Sequence, residues 1–161
     1  MKITHFFKIA LIFCCFLISN NSHAEDSKYY VGEISAPDIL SSFPTFASHI
    51  DDVSYNDAQL NKLANLTGDI QIKVFFGQWC HDSAREVPRI ITMLNQVNNA
   101  NINAWFYGLD TSKSDPLMLA QKHDIKKTPT IIVYQNGVEL GRILEFPELD
   151  WPTDISRLFE S

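Results

Sequence analysis

Cys80 is the residue of this sequence best placed for chemistry. It stands in the segment FFGQWCHDSAREVP, after a run of strand-forming residues and at the start of a predicted helix. Unpaired backbone N–H groups and the helix dipole favour an anion at a helix N-terminus, and the thiolate is the nucleophilic form of cysteine. The position therefore predicts a reactive thiol.

The neighbours of Cys80 are predicted to act on the thiol in opposite directions. A protonated His81 would stabilise a thiolate, whereas the negative charge of Asp82 would oppose it, and the sequence leaves the balance open. Ser83 either donates a hydrogen bond to the thiolate or serves as the N-cap of the helix. Trp79 either shields the sulfur and contacts a partner or packs into the fold.

The elements that must position this thiol are predicted from hydrophobic periodicity and turn signals. Helical segments around residues 39–46 and 55–66 precede the first clear strand, over residues 70–76. The remaining predicted elements are a helix over 83–98 that contains Pro88, a strand over 104–109, a helix over 115–123, strands over 130–134 and 138–144 joined by a turn at Asn136-Gly137, and a helix over 151–159. This order predicts an α/β fold with a mixed sheet and helices on both faces.

Two segments of the chain resemble the thioredoxin family. Residues 79–83 (WCHDS) resemble its active-site segment Trp-Cys-x-x-Cys with serine in place of the second cysteine, and Pro88 matches the proline that kinks its active-site helix. Residues 127–137 (KTPTIIVYQNG) resemble its cis-proline loop, the following strand and a hairpin turn, and Gly141 matches a glycine of its last strand. The resemblance, over roughly residues 70–161, implies a thioredoxin-like three-layer fold with a C-terminal β-hairpin. The predicted single domain spans residues 25–161, and its first part, residues 25–69, is a helical segment.

The resemblance implies a substrate site around the thiol. Cys80 would be the catalytic nucleophile, and Ser83 would occupy the position of the second catalytic cysteine. Pro129 would be cis, and Thr128 would lie beside the reactive sulfur. The implied substrate-binding residues are Trp79, His81, Thr128 and Pro129.

Departures from the family pattern limit the predicted chemistry. Ser83 removes the resolving thiol, and Val74 stands where the family carries a buried acid that helps to deprotonate that thiol. What remains is one exchange step, in which thiolate attack gives a mixed disulfide that another thiol must resolve. Monothiol glutaredoxins resemble this Cys-x-x-Ser arrangement and use glutathione as that thiol, so glutathione is a candidate co-substrate. No cofactor or metal is predicted, since His49, His81 and His123 match no compact ligand spacing.

The N-terminal residues predict a cleaved signal peptide. Lys2 and Lys8 mark a basic region, and the apolar run over residues 9–18 is shorter than the roughly 20 residues of a membrane span. We predict a signal peptide over residues 1–24, with cleavage after Ala24 and export to a bacterial periplasm. An uncleaved N-terminal anchor is the alternative.

The cysteine count and the charge restrict the partners. Cys14 and Cys15 belong to the predicted signal peptide, so the mature chain would keep Cys80 alone and form no internal disulfide. We expect a monomer, and a Cys80-linked dimer remains open. The formal net charge of −6 argues against nucleic acid and anionic membranes as partners. Three lysines before the proline loop either attract an anionic partner or form a solvated face: Lys122, Lys126 and Lys127.

These observations predict an exported monothiol protein that acts in thiol–disulfide exchange, on proteins or on small thiols and disulfides, through a mixed disulfide at Cys80. Two alternatives remain open. One is a non-catalytic binding module that grips a peptide or protein beside Pro129. The other is a redox sensor in which Cys80 is oxidised to a sulfenic acid or capped by a small thiol.

Overall fold

The computed structural model describes residues 28–160, so the predicted signal peptide and its cleavage site lie outside the described residues. The strands in this range are β1 (Gly32–Ile34), β2 (Ile70–Phe76), β3 (Ile102–Gly108), β4 (Thr130–Gln135) and β5 (Val138–Leu144). The helices are α1 (Ala36–Ser42), α2 (Pro44–Ala47), α3 (Asp57–Ala64), α4 (His81–Val97), α5 (Leu119–Lys122) and α6 (Trp151–Arg157). None of these helices is both long enough and apolar enough to cross a bilayer.

The five strands form one mixed sheet in the order β1-β3-β2-β4-β5. β2 and β3 are parallel, and the other neighbouring pairs are antiparallel. The β4–β5 hairpin turns at Asn136 and Gly137, whose φ angles of 51° and 80° are those of the tight turns that hairpins favour. The predicted α/β fold with a C-terminal hairpin is confirmed.

Capping interactions determine where the N-terminal helices begin. Ser35 Oγ accepts the N–H of Asp38 at 3.3 Å at the start of α1, and Asn56 and Gln59 form a reciprocal capping box at the start of α3. Pro44 lies in the first turn of α2, where its missing N–H costs nothing. The proline therefore starts a second short helix instead of extending α1.

Two elements differ from the sequence prediction. The sequence predicts no strand before residue 70, yet Gly32–Ile34 pairs antiparallel with β3, and so short a strand carries no periodic signal of its own. The helix predicted over 115–123 is reduced to α5, because Met118 adopts a left-handed conformation with φ of 56°. Asp115 satisfies the backbone of this turn by accepting the N–H groups of Leu119 and Ala120.

Helices cover both faces of the sheet, so the molecule has three layers. Alternate residues of β2 point to opposite faces. One face packs against α1, α2, α3, α4 and α6 in the larger core, and Phe46 of α2 and Phe76 of β2 meet there with ring centroids 5.7 Å apart. The other face packs against α5 through Phe75, Ala120 and Ile132. The N-terminal helical segment thus contributes to the same core as the sheet.

We expect Phe46→Ala to destabilise the whole fold, since the ring is fully buried between Phe43 and Phe76. Loss of such a ring costs roughly 3–5 kcal/mol. Urea unfolding followed by circular dichroism would measure it. Phe146→Ala removes the same ring from a side chain that is 56% exposed, and it should change stability by no more than about 0.5 kcal/mol. Equal effects of the two substitutions would contradict the core assignment.

An aromatic and basic cluster lies on the α5 face of the sheet. Lys73 Nζ lies 5.9 Å from the ring centroid of Trp105 and 5.0 Å from that of Tyr134. The His123 ring packs against Phe75, with centroids 5.3 Å apart. Burial lowers the pKa of His123 below its usual 6.5, and the positive charges of Lys73, Arg142 and Lys122 lower it further.

This environment predicts that acid weakens the fold through His123. The unfolded chain takes up a proton near pH 6.5 that the folded protein accepts only at lower pH, so the free energy of unfolding should fall as pH drops below that value. Urea midpoints at pH 7.5, 6.5 and 5.5 would measure the slope, and His123→Gln should reduce it. His81→Gln is the matched control, because the His81 side chain is 84% exposed. Equal slopes in wild type and His123→Gln would refute the assignment.

Candidate functional site

Cys80 lies where the sequence predicts, between the central strand β2 and the helix α4. It is the N-cap residue of α4, with extended backbone angles of −89° and 125°. The Cys80 N–H donates to the Gly77 carbonyl, and the Cys80 carbonyl accepts from Ala84, both at 3.0 Å. The thiol is half-buried at the end of the helix whose unpaired N–H groups favour negative charge.

The sulfur of Cys80 touches the bend that precedes β4. Its Sγ lies 3.1 Å from the carbonyl oxygen of Thr128, within hydrogen-bond reach of the thiol. The Thr128–Pro129 peptide bond is cis, as the resemblance implies, and both residues are buried. Thr130 Oγ1 donates to the Lys127 carbonyl at 2.7 Å, which closes the bend. The structure therefore brings Cys80, Thr128 and Pro129 together.

Trp79 is fixed against the loop that leaves β3. Its Nε1 donates to the Leu109 carbonyl at 3.0 Å, and Lys113 Nζ lies 5.4 Å from its ring centroid. A Cβ at Gly77 would lie 2.6 Å from the indole, so a glycine is required beneath the ring. The half-buried Trp79 side chain thus packs into the loop and also remains partly exposed beside Cys80.

The residue before Trp79 is tied to the N-terminal part of the described chain. Gln78 Oε1 accepts the backbone N–H of Tyr30 at 2.7 Å. Tyr30 also packs closely over β3, since a Cβ on Gly108 would lie 2.8 Å from its carbonyl oxygen. The segment that leads into β1 therefore contacts the loop that carries the thiol.

The contact that Ser83 makes in the structure differs from both roles predicted for it, the N-cap and the donor to the thiolate. The helix begins at His81, so the N-cap is Cys80, and the prediction of Ser83 as N-cap is wrong. The hydrogen bond that the structure shows for Ser83 joins its Oγ, as acceptor, to the Gly77 N–H at 3.1 Å. Because Ser83 is fully buried, it satisfies a buried backbone donor in the turn before the thiol.

The charges beside Cys80 are arranged in sequence along α4. Asp82 Oδ1 lies 2.9 Å from Arg85 Nη2 and 4.0 Å from Nδ1 of the exposed His81. The carboxylate that was expected to oppose a thiolate is therefore paired with a guanidinium. A second acid follows, since Arg85 Nε lies 2.7 Å from Glu86 Oε1 and this hydrogen bond raises the pKa of Arg85.

Glu86 is a buried group that the sequence analysis missed. It is 2% exposed. Its Oε1 accepts from Arg85 and Arg89, and its Oε2 accepts from Trp151 Nε1 at 2.9 Å. A buried carboxylate needs such partners. The sequence did carry a signal for this group. Glu86 lies within the apolar stripe of α4, with Arg85 one residue before it and Arg89 three residues after it.

The remaining predicted residues lie apart from the thiol or are paired. Val74 is fully buried in the larger core. Lys126 pairs with Asp124 at 2.7 Å, and Lys127 pairs with Glu145 at 2.5 Å. Among residues 28–160, no group of three or more His, Cys, Asp or Glu side chains is arranged to hold a metal ion.

Replacement of Ser83 by alanine should destabilise the protein, because the Gly77 N–H would lose its acceptor in a buried turn. An unsatisfied buried donor costs roughly 1–3 kcal/mol. Guanidinium unfolding would measure the loss, and Ser112→Ala at an exposed position is the control. An unchanged midpoint in Ser83→Ala would show that this hydrogen bond contributes nothing.

Comparison with known proteins places the chain in a family. No curated protein matches it. Solved structures with similar folds include a protein named Trxlp from Edwardsiella tarda, with 21% identity over 64% of this chain and 92% of that one at a TM-score of 0.45. Thioredoxin-2 of the malaria parasite has 24% identity over 60% of this chain and 85% of that one, at a TM-score of 0.44. A Pseudomonas aeruginosa protein of unknown function has 17% identity over 71% of this chain and 68% of that one, at a TM-score of 0.50.

The family model described as thioredoxin matches residues 44–150, two thirds of the sequence. The chain therefore belongs to the thioredoxin family.

Proposed function

We propose that this protein acts in thiol–disulfide exchange, with Cys80 as the nucleophile. The thioredoxin-like fold suggests a redox or thiol–disulfide function in general. The observation that supports the finer proposal is the half-buried sulfur at the start of α4, 3.1 Å from the Thr128 carbonyl. A half-buried sulfur at a helix N-terminus is placed to attack a partner disulfide in its thiolate form, which is the nucleophilic one.

The proposed exchange is a single step. The Cys80 thiol loses its proton to solvent, and the thiolate attacks one sulfur of a partner disulfide. The partner's S–S bond breaks, a new S–S bond to Cys80 forms, and the departing sulfur takes up a proton from solvent. Ser83 provides no thiol to attack this adduct. A thiol from another molecule must resolve it, and glutathione or a second cysteine of the partner has the right chemistry.

A polypeptide partner is supported by the surface beside the bend. The Glu145 N–H donates to the Pro129 carbonyl at 2.8 Å, so the residues around Glu145 lie next to the thiol site. Leu144 and Phe146, on either side of Glu145 in the chain, are 48% and 56% exposed. Exposed apolar side chains beside a reactive group favour contact with a protein or peptide.

The proposed site of action is outside the cytoplasm. The signal peptide predicted over residues 1–24 supports export to the periplasm, where protein disulfides persist as substrates. The one thiol that the chain would keep after the predicted cleavage supports a role that ends in an intermolecular adduct.

The experiment is to incubate the reduced protein, prepared without residues 1–24 so that Cys80 is its one cysteine, with a synthetic disulfide-containing peptide and to follow adducts by intact mass. Wild type should give a one-to-one adduct that dithiothreitol removes, and should form it faster than a WCHDS peptide does. Cys80→Ser should give none. Ser83→Cys should accumulate less adduct, because it restores the Cys-x-x-Cys spacing of the thioredoxin family and the added thiol would resolve the adduct internally.

Adduct formation by wild type no faster than by the free peptide would overturn the proposal. The exposed Leu144 and Phe146 would then favour the second candidate, a non-catalytic binding module. In that case Cys80→Ala should bind a peptide partner as tightly as wild type.

A further inference from the structure

Glu145 has a backbone conformation that its side chain does not favour. Its φ is 66°, in the left-handed region where glycine is at ease and a residue with a Cβ is strained. The turn is closed by the Phe146 N–H, which donates to the Leu144 carbonyl at 2.8 Å. Glycine would form this turn without strain. Strain retained beside a candidate site is a reason to ask what the side chain does.

Both the backbone and the side chain of Glu145 contact the bend that carries Thr128. Its N–H donates to the Pro129 carbonyl at 2.8 Å, and its Oε2 lies 2.5 Å from Lys127 Nζ. The residues immediately before and after Thr128 are therefore both attached to Glu145. Thr128 lies between these two contacts, and its carbonyl oxygen is the group that Cys80 Sγ contacts.

We propose that Glu145 is a positioning residue for the thiol site. Its carboxylate holds Lys127 while its amide holds Pro129, and together they fix the Thr128 carbonyl and the neighbouring backbone against the sulfur. The inference rests on the proposed exchange function and deepens it. A bend held in place presents its backbone groups to an extended partner at no further ordering cost.

If Glu145 is a positioning residue, its strained backbone is kept because the site needs the carboxylate, and the stability of the fold does not depend on it. Glu145→Gly relieves the left-handed backbone and removes only the contact with Lys127. We expect its melting temperature to equal or exceed that of wild type. We expect its rate of adduct formation with the disulfide peptide to fall by about ten-fold, as small misplacements of reacting groups cost rate.

The chain offers a matched control for this variant. Asp124 also has a left-handed backbone, with φ of 53°, and it pairs with Lys126 at 2.7 Å. Its side chain is 76% exposed, and its ion pair and backbone hydrogen bond join it to Lys126 and Gln121 instead of to the bend at Thr128 and Pro129. Asp124→Gly should therefore leave the exchange rate unchanged while it relieves the same kind of strain.

A charge exchange tests the ion pair itself. Glu145→Lys and Lys127→Glu each place like charges together and should slow exchange with the peptide, whereas the double variant restores an opposite pair and should recover most of the rate. Iodoacetamide alkylation of Cys80 should stay within about two-fold of wild type in all variants, because a small uncharged reagent needs no aligned backbone.

The outcomes separate this inference from the proposed function. Rapid exchange by wild type together with unchanged exchange by Glu145→Gly would overturn the positioning role and leave the function standing. A lowered melting temperature in Glu145→Gly, or no recovery in the double variant, would also overturn it by showing a merely structural effect. A wild type that fails to exchange would overturn both.

Discussion

The contact between the Cys80 sulfur and the Thr128 carbonyl depends on the register between β2 and β4. The two residues are 48 positions apart, and they meet because Phe75 lies opposite Thr130 in the antiparallel pair. A slip of one residue would move the bend by about 3.3 Å and turn the side chains of β2 to the wrong face. The alternating apolar residues of β2 prevent that slip, since one set is buried in the larger core. The geometry of the thiol site is therefore a consequence of core packing on the central strand.

Elements with strong local signals were predicted well, and those that depend on distant partners were not. The predicted ranges of β2 and β5 match the structure, because an apolar run and the Asn136-Gly137 turn define them locally. β1 forms only through its pairing with β3, so three residues of sequence carry no sign of it. The shortened α5 follows from the conformation of Met118, a residue type that rarely adopts a left-handed backbone.

The same distinction applies to the site. The placement of Pro129 beside Cys80 was implied by the resemblance to the thioredoxin family, and the structure brings the two residues together. The role of Ser83 did not follow, because its contact with Gly77 depends on a helix that begins two residues earlier than predicted. The left-handed Glu145 and its pairing with Lys127 were also beyond the sequence, since no residue type there signals a positive φ and the two residues are 18 positions apart.

The hydrogen bond from the Tyr30 amide to Gln78 has a practical consequence for handling the protein. It couples the chain ahead of β1 to the loop that ends at the reactive sulfur, through a single backbone donor. Recombinant versions that begin after Tyr30 would lack this donor and would leave Gln78 to find water instead. Thiol reactivities measured on differently trimmed preparations would then describe different loops. The start point of the polypeptide is therefore a variable to hold constant when such reactivities are compared.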